Sequence, residues 1–351
     1  MMTAENQPRV CIILVNWNGA DDTIECLESL IRLSHRNCQI VVCDNDSSDL
    51  SVEKIQQWAS STSLPVFTPG IITERLLQRE KTAGKSLATV ERSEAEEGSA
   101  SVLAQAHLLL VRTGANLGFA GANNVGMRYA LHSKSFDYVW LVNNDTVVDA
   151  DALTSMLKRI EQCAQPAICG SKILFYDDPA VIQALGGARY NRWTGISSTT
   201  LGRNLNDKDV IDHQDYEGKM SYIAGASCLV PMSFIRDVGL MSENYFLYCE
   251  EIDWTLRASG KYDLVYAEDS RVYHKEGSSI GSPTGDRPSS LLSEFYIFRN
   301  KLKVVKAFNP WAIPVAYGAT LMQAFNRMRR GQWGKAMLVL KILFGKTRWQ
   351  A

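Results

Sequence analysis

Two side chains suited to a divalent cation stand at the end of an apolar run. Residues 137–142, DYVWLV, are followed by Asn143, Asn144 and Asp145. Oxygen ligands at alternate positions suit a hard cation such as Mg²⁺ or Mn²⁺ that also takes diphosphate oxygens. Such an ion would neutralise the charge that develops on a departing diphosphate. The same triplet is typical of an Asx turn that leads into a helix cap, so both interpretations stay open here.

An acidic segment between aromatic residues offers a second reactive group. Glu250, Glu251 and Asp253 lie within YFLYCEEIDW, residues 245–254. A surrounding that excludes water raises the pKa of a carboxylate, which suits a general base. Acidic residues are also common in the first turn of a helix, where they interact favourably with the helix dipole. The segment therefore predicts either a base or a helix N-terminus.

A loop rich in glycine and asparagine, NLGFAGANNVG at 116–126, suits close approach of a ligand to the backbone. It is not the G-x-G-x-x-G pattern and lacks the Walker lysine, which disfavours dehydrogenases and nucleotide phosphatases. Its glycines would let the backbone approach a ribose or diphosphate, with Asn123 and Asn124 opening the next helix. The alternative is a tight loop that serves packing.

His274 ends the strand-like run LVYAEDSRVYH and offers a ring nitrogen to the same metal. A lone histidine at a strand end is more often structural or exposed. The other four histidines have no comparable setting.

Successive apolar runs predict the elements that position these groups. Residues 10–16 end in Asn16, residues 39–45 end in Asp44 and Asn45, and residues 107–112 precede the glycine-rich loop. Strands that alternate with helices predict a doubly wound α/β sheet. In such sheets ligands bind beyond the carboxyl ends of the strands. The candidate residues are therefore expected to meet at one edge.

Composition predicts one catalytic domain with appendages. The chain has 351 residues, 46% of them hydrophobic, and a formal net charge of −1. Eight cysteines without a C-x-x-C pair predict reduced core residues. The N-terminus has no charged-then-apolar leader and no apolar run reaches the length of a spanning helix, which predicts a cytoplasmic protein. We expect a catalytic domain over 1–300 with a flexible insertion at 68–105, where the chain is polar and irregular.

The C-terminal region carries an excess of positive charge. From Arg299 onward there are eleven Lys or Arg residues and no Asp or Glu, and residues 311–325 are apolar. We predict a basic amphipathic helical region over 301–351 that contacts anionic lipid on the inner face of the cell membrane. The alternative is a helical pair that packs on the catalytic domain or forms a homodimer. No nucleic-acid partner is predicted, because the region lacks a recognisable binding module.

Seven ordered motifs resemble those of family-two glycosyltransferases with the GT-A fold. They are VNWNG, VVCDNDSSD, NLGFAGANN, WLVNNDTVV, AGASCLVP, FLYCEEIDWTLR and the strand ending in His274. The similarity covers residues 9–300 apart from 68–105, and it is to bacterial rhamnosyltransferase-like members that build cell-surface polysaccharide. It implies a GT-A type doubly wound mixed sheet flanked by helices. The C-terminal helical appendage is expected from the apolar and basic pattern of residues 301–351.

The resemblance implies contacts to a nucleotide-sugar donor linked to UDP or dTDP. Asn16 and Asp44 would lie on the nucleobase side of the donor. Its ribose and diphosphate would be lined by Asn116, Gly118 and Phe119.

The resemblance also implies the metal ligands and the base. Asn143 and Asp145 are the counterpart of the family's D-x-D motif, with Asp145 holding Mg²⁺ or Mn²⁺ and a neutral Asn143 where an aspartate often stands. His274 resembles the third metal ligand of some members. Most members have Glu-Asp where this chain has Glu250 and Glu251. Glu251 therefore aligns with the catalytic base, although its side chain is longer by a methylene.

The remaining implied contacts concern the sugar and the acceptor. Gly225 and Ala226 would lie close to the transferred sugar, whereas Asp253 and Trp254 would shape the acceptor side, next to Glu250.

The expected activity is a single inverting displacement onto a hydroxyl of a glycan or lipid-linked acceptor. Outside enzymes, the alternative is a catalytically silent glycan-binding or assembly protein, because Asn143 and Glu251 depart from the family pattern. Within enzymes, a sugar-phosphate nucleotidyltransferase would need an N-terminal Gly-rich loop with Arg and Lys, and VNWNGADD has neither.

Overall fold

A mixed sheet flanked by helices forms the centre of the protein. The computed structural model describes residues 7–61, 72, 76, 86–97, 106–258, 260–275, 289–345 and 348–349. The strands within these residues are β1 (Val10–Asn16), β2 (Cys38–Asp44), β3 (Leu87–Glu91), β4 (Leu108–Arg112), β5 (Tyr138–Asn143), β6 (Thr146–Val148), β7 (Ala167–Phe175), β8 (Ile182–Leu185), β9 (Gly187–Asn191), β10 (Ile196–Thr200), β11 (Tyr222–Ile223), β12 (Ser227–Pro231) and β13 (Asp263–His274).

The helices are numbered in the same way along the described chain. They are α1 (Ala20–Leu30), α2 (Ser51–Ser60), α3 (Arg92–Glu97), α4 (Gly118–Ser133), α5 (Ala152–Glu161), α6 (His213–Glu217), α7 (Met232–Val238), α8 (Glu250–Arg257), α9 (Leu291–Phe308), α10 (Ile313–Arg329) and α11 (Trp333–Leu343), with a 3₁₀ turn at Pro310–Ala312.

The main sheet runs in the order β3-β4-β2-β1-β5-β12-β7-β13-β6, with β8 paired to β7. The strands from β3 to β5 are parallel to one another. β12 is antiparallel to both β5 and β7, β13 is parallel to β7, and β6 is antiparallel to β13. The mixed α/β sheet predicted from the sequence is therefore confirmed. β10, β9 and β11 form a separate antiparallel sheet within and after the stretch 176–220.

Helices cover both faces of the central parallel strands, which explains why the interiors of β1, β2, β4 and β5 are runs of consecutive apolar residues. Side chains alternate along β1, so Ile12 packs with Leu27 of α1 and Trp58 of α2. Ile13 points to the other face and packs with Val125 of α4.

Part of the predicted insertion at 68–105 is regular structure, which corrects that expectation. β3 pairs in parallel with β4 at the edge of the sheet, and α3 follows it. An edge strand with one partner needs no continuous apolar pattern, so its sequence LATVE resembles a loop. Apart from Ile72, Leu76 and Ser86, the rest of the stretch lies outside the described residues.

The C-terminal helices pack against the catalytic part. α9 runs through the predicted boundary between residues 300 and 301, and it packs with α10 and α11 around Phe295, Ala324 and Val339. Residue 300 is therefore not a point at which the chain leaves one unit for another. Across the described part of the chain, no helix combines the length and the hydrophobicity needed to span a membrane.

Candidate active site

Parallel pairing brings the carboxyl ends of three strands to one edge of the sheet. Asn16 is in register with Asp44, and Val15 is in register with Asn143. A cavity of about 610 Å³ opens at this edge. It lies where open α/β sheets bind their ligands.

Asn16 and Asp44 are buried behind the cavity and bond to each other. Asn16 Nδ2 donates to Asp44 Oδ1 at 2.8 Å, and Thr23 Oγ1 donates to Asn16 Oδ1 at 2.7 Å. Ser47 donates to both Asp44 oxygens, from Oγ at 2.7 Å and from its backbone N–H at 3.1 Å. These bonds fix the ends of β1 and β2 and the turn after β2.

Asn45, the residue after β2, organises the loop that precedes α4. Its Nδ2 donates to Asn116 Oδ1 at 3.0 Å, and the same oxygen accepts from the Gly118 backbone N–H at 3.0 Å. Gly118 has φ +71°, and a Cβ there would lie 2.2 Å from the Phe246 carbonyl oxygen. The Phe119 N–H donates to that oxygen at 2.8 Å. Glycine is therefore required by both the backbone conformation and the close approach.

A carboxylate and an imidazole meet where β5 and β13 end. His274 Nε2 lies 3.2 Å from Asp145 Oδ1, and Asn143 Nδ2 lies 3.5 Å from the same nitrogen. On the other side of the ring, Nδ1 lies 2.9 Å from Gln183 Oε1. When Nδ1 donates to Gln183, Nε2 faces Asp145 either as a second N–H or as a lone pair.

The lone-pair form of His274 suits a divalent cation. Adjacent ligands in an octahedral shell of Mg²⁺ or Mn²⁺ lie about 3 Å apart, since the bonds are about 2.1 Å long, and the Asp145–His274 separation is 3.2 Å. Gln183 would act as the outer partner that holds the ring in the correct tautomer. No group of three or more His, Cys, Asp or Glu side chains that could hold a metal occurs within the described residues. Further ligands would have to come from Asn143, a diphosphate or water.

Glu251 lies in the first turn of α8 and lines the same cavity. A Cβ at Gly225 would lie 2.3 Å from Glu251 Oε1, so the absence of a side chain at residue 225 gives the carboxylate its position. Burial raises the pKa of Glu251 above the ordinary glutamate value. A half-buried carboxylate with a raised pKa can accept a proton from an acceptor hydroxyl near neutral pH.

Glu250, its neighbour, is 2% exposed and does not line the cavity. Its Oε2 has no hydrogen-bond partner among the described residues. Burial, and then the neighbouring Glu251, raise the pKa of Glu250 well above its ordinary value. Two adjacent carboxyl groups with little water between them favour a state in which one of them keeps its proton.

The structure brings most of the predicted site residues to the cavity. Those that line it are Asn116, Gly118, Phe119, Asn143, Asp145, Gly225, Ala226, Glu251 and His274. Those that do not are Asn16, Asp44, Asn123, Glu250, Asp253 and Trp254.

Three of the residues behind the cavity make contacts that stabilise the fold. Asn123 Nδ2 donates to the Phe119 carbonyl at 2.9 Å. Asp253 accepts from Arg257 Nε at 2.7 Å and from the Tyr245 hydroxyl at 2.9 Å. Trp254 is 3% exposed. Trp254 Nε1 donates to the Gly239 carbonyl at 2.7 Å, and neither Asp253 nor Trp254 lines the cavity.

Several cavity residues were missed by sequence reasoning. Gln183 lies within β8, where nothing in the sequence marks a histidine partner. Tyr296 lies in α9, near the end of the predicted catalytic domain, and Trp349 comes from the region 301–351 that was expected to be an appendage. The others that argue for a substrate site are Trp17, Thr200, Arg203, Tyr222 and Tyr248. Asn45, which the sequence had placed with Asp44 at the end of a strand, also lines the cavity.

Comparison with known proteins defines the class. The family described as Glycosyl transferase family 2 matches residues 11–87 and 93–218, more than half of the chain. The chain belongs to this glycosyltransferase family. It is also 26% identical over 149 residues to the low-salt glycan biosynthesis hexosyltransferase Agl10 of Haloferax volcanii, a match that spans 42% of this chain and 45% of that relative. Less than half of the length of either protein is thus aligned.

Two solved glycosyltransferases share the fold. GalNAc-T7 with UDP, GalNAc and Mn²⁺ matches with a TM-score of 0.54 and 15% identity, over 86% of this chain and 48% of that one. The mannosyltransferase PcManGT from Pyrobaculum calidifontis with GDP-Man and Mn²⁺ matches with a TM-score of 0.51 and 13% identity, over 99% of this chain and 88% of that one. The predicted GT-A type fold is confirmed.

Replacing Glu250 with Gln should change how stability depends on pH. A carboxyl whose folded-state pKa lies above its unfolded value binds extra protons in the folded state, so stability falls as pH rises from about 4.3 through the raised pKa. Glu250→Gln cannot ionise, and its free energy of unfolding should fall less with rising pH than that of the wild type. Urea unfolding at a series of pH values measures this. Glu53→Gln, on the exposed face of α2, is the control. If the free energy of unfolding falls equally with pH in Glu250→Gln and in the wild type, the raised pKa of the buried Glu250 is contradicted.

Proposed function

We propose that this glycosyltransferase transfers its sugar with inversion, from a UDP- or dTDP-linked donor to a hydroxyl of a glycan or lipid-linked acceptor. Rhamnose is the proposed sugar and cell-surface polysaccharide synthesis the proposed role. One observation carries the proposal: Glu251 and the Asp145–His274 pair line the same cavity. The similarity to Agl10, a hexosyltransferase of glycan biosynthesis, supports the proposed role in polysaccharide synthesis.

The proposed reaction is one displacement. The Glu251 carboxylate takes the proton of the acceptor hydroxyl, and the acceptor oxygen forms a bond to the anomeric carbon of the sugar. The bond between that carbon and the diphosphate oxygen breaks, and its electron pair leaves with the diphosphate. Attack opposite the leaving group inverts the configuration. The extra methylene of Glu251, relative to aspartate, fits because Gly225 provides the space for the longer side chain.

Asp145 and His274 are the proposed ligands of a divalent cation, with Asn143 beside them. A bound Mg²⁺ or Mn²⁺ would stabilise the charge on the leaving diphosphate. Gln183 would keep the His274 ring oriented through Nδ1, 2.9 Å away. Both solved structures that share the fold contain Mn²⁺, which supports the choice of metal.

Glu251→Gln tests the base. The amide keeps the size of the side chain but cannot accept the proton, so we expect kcat to fall by about 100- to 10,000-fold while the donor still raises the melting temperature. Transfer is measured with UDP- and dTDP-linked sugars and simple glycoside acceptors, and Glu53→Gln is the control. A fully active Glu251→Gln would remove Glu251 from this role. Donor binding by the wild type without transfer or hydrolysis would favour the silent glycan-binding protein.

The wild-type transfer rate should also rise with pH along an acid limb. Because burial raises the pKa of Glu251, the midpoint of that limb should lie above the ordinary glutamate value of about 4.3.

Chelation tests the cation. We expect EDTA to abolish transfer and MnCl₂ or MgCl₂ to restore it. Asn143→Asp should lower the Mn²⁺ concentration that gives half-maximal rate, because a second carboxylate beside Asp145 adds negative charge to the site, and Asp145→Asn should raise it. A rate that EDTA leaves unchanged would overturn the proposed metal dependence.

We further propose peripheral contact of the C-terminal helices with the inner face of the cell membrane. One face of α10 packs inward through Ala316, Thr320 and Ala324. The other side of α10, with its neighbours, exposes large apolar side chains: Trp311, Val315, Tyr317, Leu321, Met322, Phe325, Trp333, Met337 and Phe344. Exposed Arg329, Arg330 and Lys341 flank them. Apolar side chains bordered by cations suit an anionic lipid surface.

Sedimentation with phosphatidylglycerol vesicles tests this surface. The protein should bind at low salt and be released at high salt, since screening weakens the attraction of its cations to the lipid. Trp333→Ser should weaken binding, whereas Leu50→Ser, which removes an apolar side chain of similar exposure (66% against 63%) at the N-cap of α2, should not. A dimer in sedimentation equilibrium without vesicle binding would favour the homodimer instead.

A further inference from the structure

The segment that leads into α8 has an unusual backbone. Phe246, Tyr248 and Cys249 have φ values of 67°, 64° and 75°. Non-glycine residues in this region are strained and persist only where the surrounding structure holds them. Something outside the segment must therefore fix residues 245–249.

One side chain of α9 contacts this segment at three points. Asn300 Nδ2 donates to the carbonyl oxygens of Tyr245, Leu247 and Tyr248 at 2.9, 2.7 and 3.0 Å, so that two of the three carbonyls share one N–H. Asn300 is fully buried. Arg299 Nη1 donates to Asn300 Oδ1 at 3.1 Å, which keeps the amide nitrogen directed at the carbonyls. An amide is suited to this position because its nitrogen is a donor with no negative charge.

The segment 245–249 connects Asn300 to two walls of the cavity, the one that carries Glu251 and the one that carries Phe119. Cys249 is the N-cap of α8, and its carbonyl accepts the first helical bond, from the Asp253 N–H at 2.9 Å. Glu251 is the second residue of that helix, so the direction of its carboxylate depends on how the segment enters α8. On the other side, the Phe246 carbonyl accepts from the Phe119 N–H at 2.8 Å.

We propose that Asn300 is a positioning residue that holds residues 245–249 in the conformation from which Glu251 reaches the acceptor. Asn300 does not line the cavity, so it acts through this segment. The inference rests on the function proposed above, and it places a determinant of transfer in the C-terminal helices.

Gly225 also affects Glu251, because it leaves room for the carboxylate. It does not hold the helix that carries the carboxylate. Lys303 assists at the edge of the segment, where its Nζ donates to the Asn244 carbonyl at 2.9 Å. Because Lys303 is partly exposed, its loss should disturb the same segment more mildly.

The test compares full-length Asn300→Asp and Asn300→Ala with Asn309→Asp. Aspartate keeps the shape of Asn300 but turns a carboxylate oxygen toward three carbonyls, whereas alanine removes the donor. Asn309, at the end of the same helix, also donates to a distant carbonyl, that of Arg192 at 3.3 Å, and it provides the matched control. The measurements are kcat, the donor KM, the melting shift produced by UDP or dTDP with MnCl₂, and amide hydrogen exchange of residues 245–249.

We expect both Asn300 variants to lose about 100-fold in kcat, the order expected for a catalytic group misplaced by about 1 Å. The donor KM and the nucleotide-induced melting shift should stay close to wild type, and exchange within 245–249 should quicken. Asn309→Asp should match the wild type. Lys303→Met should give a smaller loss of kcat, and it serves as the test if Asn300→Asp does not fold.

Folded Asn300 variants with wild-type kcat would overturn the inference, as would a loss confined to the donor KM. A wild type that transfers no sugar would instead overturn the proposed function. Hydrogen exchange would then still decide whether Asn300 holds the segment, so the two failures are distinguishable.

Discussion

The parallel pairing of β1 with β2 and β5 is the constraint on which the site depends. It aligns Asn16 with Asp44 and Val15 with Asn143, so that polar residues from distant parts of the chain end at one edge. Strands buried on both faces leave no room for a register error, because a shift would move polar residues into the core. The bonds between Asn16, Asp44 and Ser47 then close this edge beneath the cavity.

The wall of the cavity that carries Glu251 contains two features that are unfavourable by themselves. α8 begins after a backbone segment in a strained conformation, and its first two residues are glutamates whose pKa values are raised. Neither feature stabilises the fold by itself. Both are held in place by well-packed neighbours, namely α9 through Asn300 and the first turn of α4 through Phe119. Local strain at a site of this kind is maintained by the stability of the surrounding structure.

The C-terminal helices have an inner side that packs within the protein and an outer side that is exposed. On the inner side, the last acidic residue of the chain, Glu294, is buried and bonded by Arg327 at 2.9 Å. This pair fastens α10 to α9, the helix that also contacts residues 245–249. On the outer side, apolar and basic side chains remain exposed. The same three helices thus complete the cavity wall through Tyr296 and present the face proposed to meet lipid.

The sequence by itself determined the alternating β-α pattern, the polar residues at strand ends and the ordered motifs of the family. Apolar periodicity and strand-end chemistry are local properties, so Asp145 and His274 could be named as candidates before any contact was known. Glu251 was chosen among the neighbouring acidic residues because of the resemblance to the family. The edge strand β3 was missed because it has a single partner and little burial. Only the tertiary structure decided that Asp253 and Trp254 turn away from the cavity, that Gln183 contacts His274, and that Asn300 holds the segment before Glu251. Those facts depend on contacts between residues far apart in the chain, and no local pattern encodes which distant groups will meet.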